Sequence, residues 1–250
     1  MVDIIEEVDR LLEVGRFQDY ALNGLQVPGP DQVEVVASGV SAHLELFEAA
    51  SEVGAGLLVV HHGLFWGPGV RSIDRAMKRR LKVVFDADMA LAAYHLPLDA
   101  HPELGNNALI ARALGAISTE PFALHEGEPI GCLAELPDDG MPAVEFFRRV
   151  GEITSRAPLV FDFGPDRVRR VGIVSGAASD DLLDAAAAGA DAFITGEPAE
   201  RVMAEAREAR VHFIAAGHYA TETFGVRALG EHLARRFGVR HVFLDVPNPV

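Results

Sequence analysis

Two stretches of this 250-residue chain resemble each other, and this similarity constrains the fold more than any other feature of the sequence. Residues 33–63 and residues 168–198 both read as a strand, a Ser-Gly pair, a helix, a Gly-Ala turn, a second strand and a loop. The match continues into a third strand in each half, within segments 90–99 and 211–222, and each of these strands ends in a histidine. Similarity over this length indicates internal duplication. Chance similarity between two ordinary βαβ units is the alternative.

Aliphatic, strand-like runs alternate with helical stretches along most of the chain, which predicts the α/β class. The predicted strands are 33–37, 57–60, 90–94, 158–162, 169–174, 191–195, 211–215 and 240–245, and the predicted helices are 3–14, 42–53, 72–82, 106–114, 142–153, 179–188, 198–208 and 222–236. Segment 126–142, rich in Gly, Pro and acidic residues, interrupts the alternation, and we expect it to join two halves and to form a short hairpin. The expected domains are therefore 1–125, a first α/β half with an N-terminal helix, and 126–250, a second α/β half.

Charge and cysteine content restrict the class of protein. The formal net charge of −15 argues against a nucleic-acid coat that works by neutralising phosphates. The one compact basic run, at 78–82, fits a solvated helix face better than a binding patch, and a local basic site is the alternative. No apolar stretch approaches the roughly 20 residues of a membrane span, and the acidic N-terminus does not resemble a signal peptide. Cys132 is the only cysteine, so no internal disulfide can form and we expect a cytoplasmic location.

Histidines and carboxylates gather where predicted strands end. The candidates at the three strand ends are His61 with His62, His95 with Asp99, and His218 with Glu222. In α/β sheets, ligands bind outside the carboxyl ends of the strands. If the two halves pack face to face, all three groups can meet in one cleft.

The spacing of these residues supports a metal site. His218 and Glu222 are four residues apart at the start of a predicted helix, so their side chains share one face. His61 and His62 point in opposite directions along a strand, unless Gly63 bends the chain so that each imidazole serves a different ion. Pro97 favours an extended loop between His95 and Asp99. Each signal alone has a structural explanation, as a surface pair, a core doublet or a hydrogen-bonded strand end.

The donor types indicate which ions are expected. Imidazole nitrogen and carboxylate oxygen suit Fe, Zn, Mn, Co or Ni, and the set does not form a thiolate site. With His95 set apart as an outer partner, the other five candidates exceed what one open zinc site needs and do not saturate two ions. We therefore expect two divalent ions that share a carboxylate and water.

Several motifs resemble a known family. HHGLFW (61–66), HLPLDAHPELGNN (95–107), DAFITGE (191–197) and GHYATE (217–222) strongly resemble the NIF-three-like family and its bacterial YbgI-type branch. DYALNGLQV (19–27) and DVPNPV (245–250) resemble the same branch. The resemblance covers almost the whole chain and is weakest at 126–164.

The resemblance implies a fold, an assembly and a ligand set. Members of this family consist of two similar, intertwined three-layer α/β/α domains and assemble as toroidal homohexamers, with a dinuclear metal centre in the cleft between the domains. Carried over by position, the metal ligands are His61, His62, Asp99, His218 and Glu222. In that scheme His62 and Asp99 bind one ion, His61 and His218 bind the other, and Glu222 bridges them. Relatives often carry the label GTP cyclohydrolase type II-like or homologue.

Metal-dependent hydrolysis of a small polar substrate, nucleotide-like or phosphorylated, is the function we expect. Paired ions lower the pKa of bound water and clamp the attacking and leaving oxygens. We expect His95 and Glu222 to take part in catalysis, with His95 as an outer partner of the centre or a proton shuttle. The alternatives are a non-catalytic metal-binding or regulatory ring protein and a scaffold that binds a macromolecule, for which the acidic charge makes nucleic acid a poor candidate.

Five further residues have two possible roles each. Glu197 occupies the place in the second half that the His61-His62 doublet has in the first, so it either holds a ligand imidazole or substrate, or favours a helix N-terminus. Tyr219 and Thr221 orient substrate or cap the helix. Phe65 and Trp66 line the mouth of the site or pack in the core.

Overall fold

The computed structural model describes residues 1–67 and 72–250. Its helices are α1 (Val2–Leu11), α2 (Leu44–Glu52), α3 (Arg75–Asp86), α4 (Leu96–Ala100), α5 (Asn106–Leu114), α6 (Ala143–Ile153), α7 (Leu182–Ala187), α8 (Val202–Ala209) and α9 (His218–Phe237). Its strands are β1 (Gly24–Val27), β2 (Val35–Ser41), β3 (Leu57–His62), β4 (Ala90–Ala93), β5 (Ser118–His125), β6 (Glu128–Glu135), β7 (Met141–Pro142), β8 (Leu159–Phe161), β9 (Arg167–Val168), β10 (Arg170–Ile173), β11 (Ala192–Thr195), β12 (His212–Ala215) and β13 (Arg240–Phe243). Among these helices, none is both long and apolar enough to cross a membrane.

The first compact unit consists of Met1–Leu98 and Gly225–Val246. Its sheet has the order β1-β4-β3-β2-β13, in which only β1 runs antiparallel to its neighbour. All of β4 and all of β3 except its last residue are buried. Continuous apolar burial is typical of the inner strands of a parallel sheet. His61 is therefore a polar exception within a buried, apolar strand.

The second compact unit consists of Asp99–Phe224 and Pro247–Val250. Its main sheet has the order β5-β6-β10-β11-β12-β8, and β7 pairs separately with β9. β10, β11 and β12 run parallel, whereas β6 and β8 pair antiparallel with the outer members of that group. The core of this unit contains the buried aromatic side chains Phe146, Phe193 and Phe213.

The parallel strands have the same order in both units. β2-β3-β4 and β10-β11-β12 are each followed at the third strand by an antiparallel neighbour, β1 or β8. Leu57 pairs with Val36 and Ala90, just as Ala192 pairs with Val171 and His212. Counting five residues onward from Leu57 and from Ala192 makes His62 equivalent to Glu197. This common order accounts for the sequence similarity between 33–63 and 168–198.

The bounds of the units differ from the halves 1–125 and 126–250 expected from the sequence. Position 125/126 falls at the turn of the β5–β6 hairpin, which lies wholly in the second unit. Glu126 and Gly127 form that turn, and both have the positive φ that two-residue hairpin turns require. The hairpin expected within 126–142 therefore begins earlier, with β5. The chain instead passes between units within α4, within α9 and again between Val246 and Pro247.

The extended loop predicted around Pro97 is wrong. Leu96–Ala100 is a short helix, and Pro97 lies in its first turn. Proline is tolerated there because the first backbone N–H groups of a helix have no partner within the helix and its fixed φ is already helical. Asp99 is consequently held on a helical turn.

Candidate metal centre

His61 lies near the end of β3 and is completely buried, with 0% of its surface exposed. Its Nδ1–H donates a 2.9 Å hydrogen bond to the backbone carbonyl of Tyr94. Because a carbonyl oxygen can only accept, the proton resides on Nδ1 and the lone pair on Nε2. Metal-binding histidines are oriented in this way, by a second hydrogen bond from the other ring nitrogen.

His62 ends β3 opposite Ser41 of β2, and its Nδ1 lies 3.0 Å from the Ser41 hydroxyl oxygen. The rings of His61 and His62 have centroids 4.8 Å apart, although side chains of consecutive strand residues ordinarily diverge. The chain leaves the strand at Gly63, where a Cβ atom would lie 2.3 Å from the Gln26 side chain. Glycine at this position leaves room for the Gln26 side chain, whose Oε1 accepts a 2.7 Å hydrogen bond from the Leu64 N–H.

His95 follows β4, and its Nδ1 lies 3.0 Å from Oδ1 of Asp19. The Asp19 carboxylate also accepts hydrogen bonds from the backbone N–H groups of Ala21 and Leu96. Burial alone would raise the pKa of Asp19, but the hydrogen bond and charge of His95, together with the donors on Ala21 and Asn23, outweigh it and lower the pKa to about 2. Asp19 is therefore a carboxylate that fixes the orientation of His95.

These three histidines form one cluster. Each of His61, His62 and His95 offers a ring nitrogen, and the three nitrogens lie within 4.8 Å of one another. His61 and His95 are buried. An imidazole cluster with this spacing, partly withdrawn from water, has the donor chemistry of a site for a borderline divalent cation.

His218 and Glu222 face each other within the second unit. Both lie in the first turns of α9, and Nε2 of His218 is 3.0 Å from Oε1 of Glu222. The shared helix face predicted from their spacing is confirmed. Nδ1 of the same ring contacts the carboxylate of Glu197, which follows β11. Burial alone would lower the pKa of His218, but the hydrogen bonds and charges of Glu222 and Glu197 raise it to about 9.

Asp99 is buried at the end of α4, where two side chains hold one of its oxygens. Oδ1 accepts a 2.7 Å hydrogen bond from the Asn106 amide and a 3.0 Å hydrogen bond from the Ser175 hydroxyl. Both donors belong to the second unit. One carboxylate oxygen is thus positioned by two neutral donors.

Gly176 makes the close approach of Glu222 possible. Its φ is +69°, and a Cβ atom there would lie 2.6 Å from Oε1 of Glu222 and 3.4 Å from Nε2 of His218. Its N–H donates to the Thr221 hydroxyl at 3.2 Å. A residue with a side chain would be strained at this φ and would displace the carboxylate.

Four of the residues for which the sequence allowed two roles make the following contacts. Thr221 accepts a hydrogen bond from Gly176 and donates one to the carbonyl of His218, so it packs the helix start against the loop. The N–H of Tyr219 donates to the carbonyl of Val250. Phe65 packs against the apolar core of the first unit, whereas Trp66 is partly exposed beside His62 and His95.

A cavity of about 310 Å³ in the second unit has Asp99, Asn107 and Cys132 in its wall.

The predicted ligand set is divided between the two units. His61 and His62 lie in the first, where His95 joins them, and Asp99, His218 and Glu222 lie in the second, where Glu197 contacts His218. The supporting residues were not predicted from the sequence; they are Asp19, Ser41, Asn106, Ser175 and Gly176. Two signals for them existed: Asp19 opens the DYALNGLQV motif, and Ser175-Gly176 is one of the repeated Ser-Gly pairs.

Comparison with known proteins shows to which family this chain is related. A protein from Pseudomonas aeruginosa named GTP cyclohydrolase 1 type 2 homolog is 44% identical over 98% of this chain and 97% of its own length. An Escherichia coli protein with the same name is 42% identical over 97% of this chain and 96% of its own length.

Solved structures give the same result for the fold. A structure titled protein ybgI, unknown function, matches with a TM-score of 0.93 and 39% identity, over 100% of this chain and 99% of that one. A Thermus thermophilus protein matches with a TM-score of 0.91 and 40% identity, over 99% and 98% of the two chains. The model of the family Duf34/NIF3 (NGG1p interacting factor 3) matches residues 1–249. The resemblance found in the sequence motifs is thereby confirmed, and the chain belongs to the Duf34/NIF3 family.

Proposed function

We propose that this protein binds two divalent metal ions through His61, His62, Asp99, His218 and Glu222. His62 and Asp99 serve one ion, His61 and His218 serve the other, and Glu222 bridges the two. The observation that carries the proposal is the hydrogen bond from Nδ1 of His61 to the Tyr94 carbonyl, 2.9 Å long, within an otherwise apolar strand. Burial of a polar ring at this place has a cost that a bound cation offsets.

The chemistry of the donors fits this assignment. Nδ1 of His61 is held by a carbonyl and Nδ1 of His218 by the Glu197 carboxylate, so in each ring Nε2 is the nitrogen that would bind an ion. One oxygen of Asp99 is positioned by Asn106 and Ser175. Imidazole and carboxylate donors suit Fe, Zn, Mn, Co or Ni. Two such ions would carry +4 against −2 from the ligands Asp99 and Glu222, so the ions keep positive charge that their own ligands do not neutralise and that favours an anionic substrate group.

The reaction we propose is hydrolysis of a small polar substrate, nucleotide-like or phosphorylated. The ions would supply Lewis acidity and a water of lowered pKa. The chain supplies the groups around them. His95, with Asp19 at its Nδ1, would receive or donate a proton at Nε2. Glu222 would be the carboxylate that the two ions share. The substrate class is supported by the charge of the two ions and by the name GTP cyclohydrolase 1 type 2 homolog that the relatives carry.

We also propose an architecture, an assembly and a location for this protein. The common order of parallel strands supports an internal duplication that produced two similar, intertwined three-layer α/β/α domains with the metal cleft between them. Membership of the family supports a toroidal homohexamer. We also propose a cytoplasmic location, for which the single cysteine is the sequence argument.

The test is elemental analysis of protein purified without chelators or an imidazole column, paired with a screen of nucleotides and phosphoesters for hydrolysis. Two metal ions per chain are expected, and Glu222→Ala should lose both metal and turnover. Glu231→Ala, which removes an exposed carboxylate from the same helix, is the control. Metal-free wild-type protein would overturn the proposal. Two ions without turnover of any substrate would instead favour a non-catalytic metal-binding protein.

A further inference from the structure

Two aromatic side chains are held rigidly beside the histidine cluster of the first unit. An isolated antiparallel bridge joins Ala21 to Trp66, and the Gly67 N–H donates a 2.6 Å hydrogen bond to the Tyr20 carbonyl. Nε1 of Trp66 donates a 3.0 Å hydrogen bond to the Gly63 carbonyl, directly after the histidine doublet. The backbone around both rings is therefore fixed, and so is the indole orientation.

These rings contact two of the clustered imidazoles. The Trp66 ring centroid lies 5.6 Å from that of His62 and 5.4 Å from that of His95. The Tyr20 centroid lies 5.1 Å from that of His95 and 5.7 Å from that of Trp66. All four distances lie in the range of direct aromatic contact. The aromatic pair and the clustered imidazoles thus form one continuous group of rings, of which Tyr20 and Trp66 are the exposed members.

Both rings remain substantially open to solvent. Tyr20 is 55% exposed and Trp66 is 42% exposed. Phe65, the neighbour of Trp66, packs instead against the core of the unit. Small-molecule sites combine apolar, mainly aromatic walls with a few polar groups that fix orientation, and this surface has both parts. Because Tyr20 and Trp66 already contact each other, a ligand ring must stack on their outer faces and cannot insert between them.

We propose that Trp66 and Tyr20 form a stacking wall for a planar heteroaromatic ring of the substrate, whose anionic group points towards the histidine cluster. The inference rests on the proposed function, and it narrows the substrate class to ring-bearing anions such as mononucleotides. Sugar phosphates and other phosphoesters that lack an aromatic ring are excluded as good ligands. Trp66 and Tyr20 are positioning residues in this scheme, since they contact the ring and take no part in bond breaking.

Trp66 fluorescence reports directly on a ligand ring that stacks here, because Trp66 is the only tryptophan in the sequence. Metal-loaded protein is titrated with AMP, GMP and ribose 5-phosphate while Trp66 fluorescence is followed, and calorimetry measures the same three ligands on the variants. Saturable quenching by AMP or GMP is expected, without quenching by ribose 5-phosphate. Trp66→Ala should weaken nucleotide binding by about 10-fold to 100-fold, the usual effect of losing one base–aromatic stack. Trp66→Phe should restore most of the affinity, and Tyr20→Ala should give a smaller loss.

Phe85→Ala is the matched control, since Phe85 is 63% exposed on α3 and its removal should leave nucleotide affinity unchanged. Metal content is measured for every variant, and Trp66→Ala should keep the wild-type stoichiometry. Equal binding of ribose 5-phosphate and nucleotides, or full nucleotide affinity in metal-loaded Trp66→Ala, would overturn this inference and leave the metal centre standing. Wild-type protein without metal and without nucleotide binding would overturn both.

Discussion

Glu197 contacts Nδ1 of His218, on the side of the imidazole ring opposite to Glu222. The two carboxylates thus occupy both nitrogens of one ring. The strand register makes Glu197 equivalent to His62 of the first unit. The same place in the repeated topology therefore carries a proposed ligand in one unit and a group that orients a proposed ligand in the other.

Removing the Glu197 carboxylate should weaken metal binding without removing a ligand. Glu197→Gln is expected to lower metal affinity by about 10-fold to 100-fold, the usual cost of losing a group that orients a metal-binding histidine. Competition with a chromophoric chelator measures the change. Glu200→Gln, at a nearby exposed position, is the control and should bind metal like the wild type. Unchanged affinity in Glu197→Gln would show that His218 does not depend on this contact.

Gly176→Ala should damage the site by crowding Glu222. Its Cβ would lie 2.6 Å from Oε1 of Glu222, so the carboxylate must move, and metal affinity should fall. Gly189→Ala separates this effect from backbone strain, because Gly189 also has a positive φ, +81°, but no atom within 4 Å of the added Cβ. Each variant should lose about 1 kcal/mol of unfolding free energy from the left-handed backbone. Elemental analysis and denaturant unfolding distinguish them, and equal metal content in both variants would contradict the expectation.

Asp19→Asn should destabilise the protein in a pH-dependent way. The pKa of Asp19 is lowered to about 2 from an ordinary value of 3.8. Its ionised form therefore stabilises the fold fully above the unfolded value, and this contribution is lost as the pH falls through about 2. At pH 7 the variant should be less stable by roughly 2 kcal/mol.

The difference between Asp19→Asn and the wild type should shrink as the pH falls from about 4 towards 2. Urea unfolding of the metal-free proteins at several pH values gives the measurement. Asp88→Asn, at an exposed position after α3, serves as the control and should show a small and constant difference. A difference for Asp19→Asn that does not change with pH would mean that the ionised carboxylate is not the source of the stability.

Cys132 should react slowly with alkylating reagents in the folded protein. Burial raises the pKa of its thiol to about 12 from 9.0, and only the thiolate is nucleophilic. Iodoacetamide at pH 8 should therefore modify the native chain at least about 100-fold more slowly than the chain unfolded in guanidinium, as mass spectrometry can follow. Comparable rates would show that the cavity beside Asp99 admits the reagent and leaves the thiol ionisable.

The sequence predicted most of the sheet strands and the residues at their ends, because apolar runs mark buried strands and His or carboxylate groups at strand ends are unusual. His218 and Glu222 were placed correctly on one helix face because their spacing alone determines it. The sequence could not reveal β1, which is short and depends on pairing with β4. It also missed the roles of Asp19 and Ser175, because each acts on a residue more than seventy positions away. Pro97 was misread because proline breaks a helix interior but fits a first turn.

The pairing of β13 with β2 has a consequence for folding during translation. This strand pairs with β2, yet residues 99–224, which build the second unit, lie between the two in the chain. During translation the edge of β2 is therefore exposed until Arg240–Phe243 has left the ribosome. An open strand edge is a template for pairing with other chains. The nascent protein is thus vulnerable to aggregation until β13 pairs with β2.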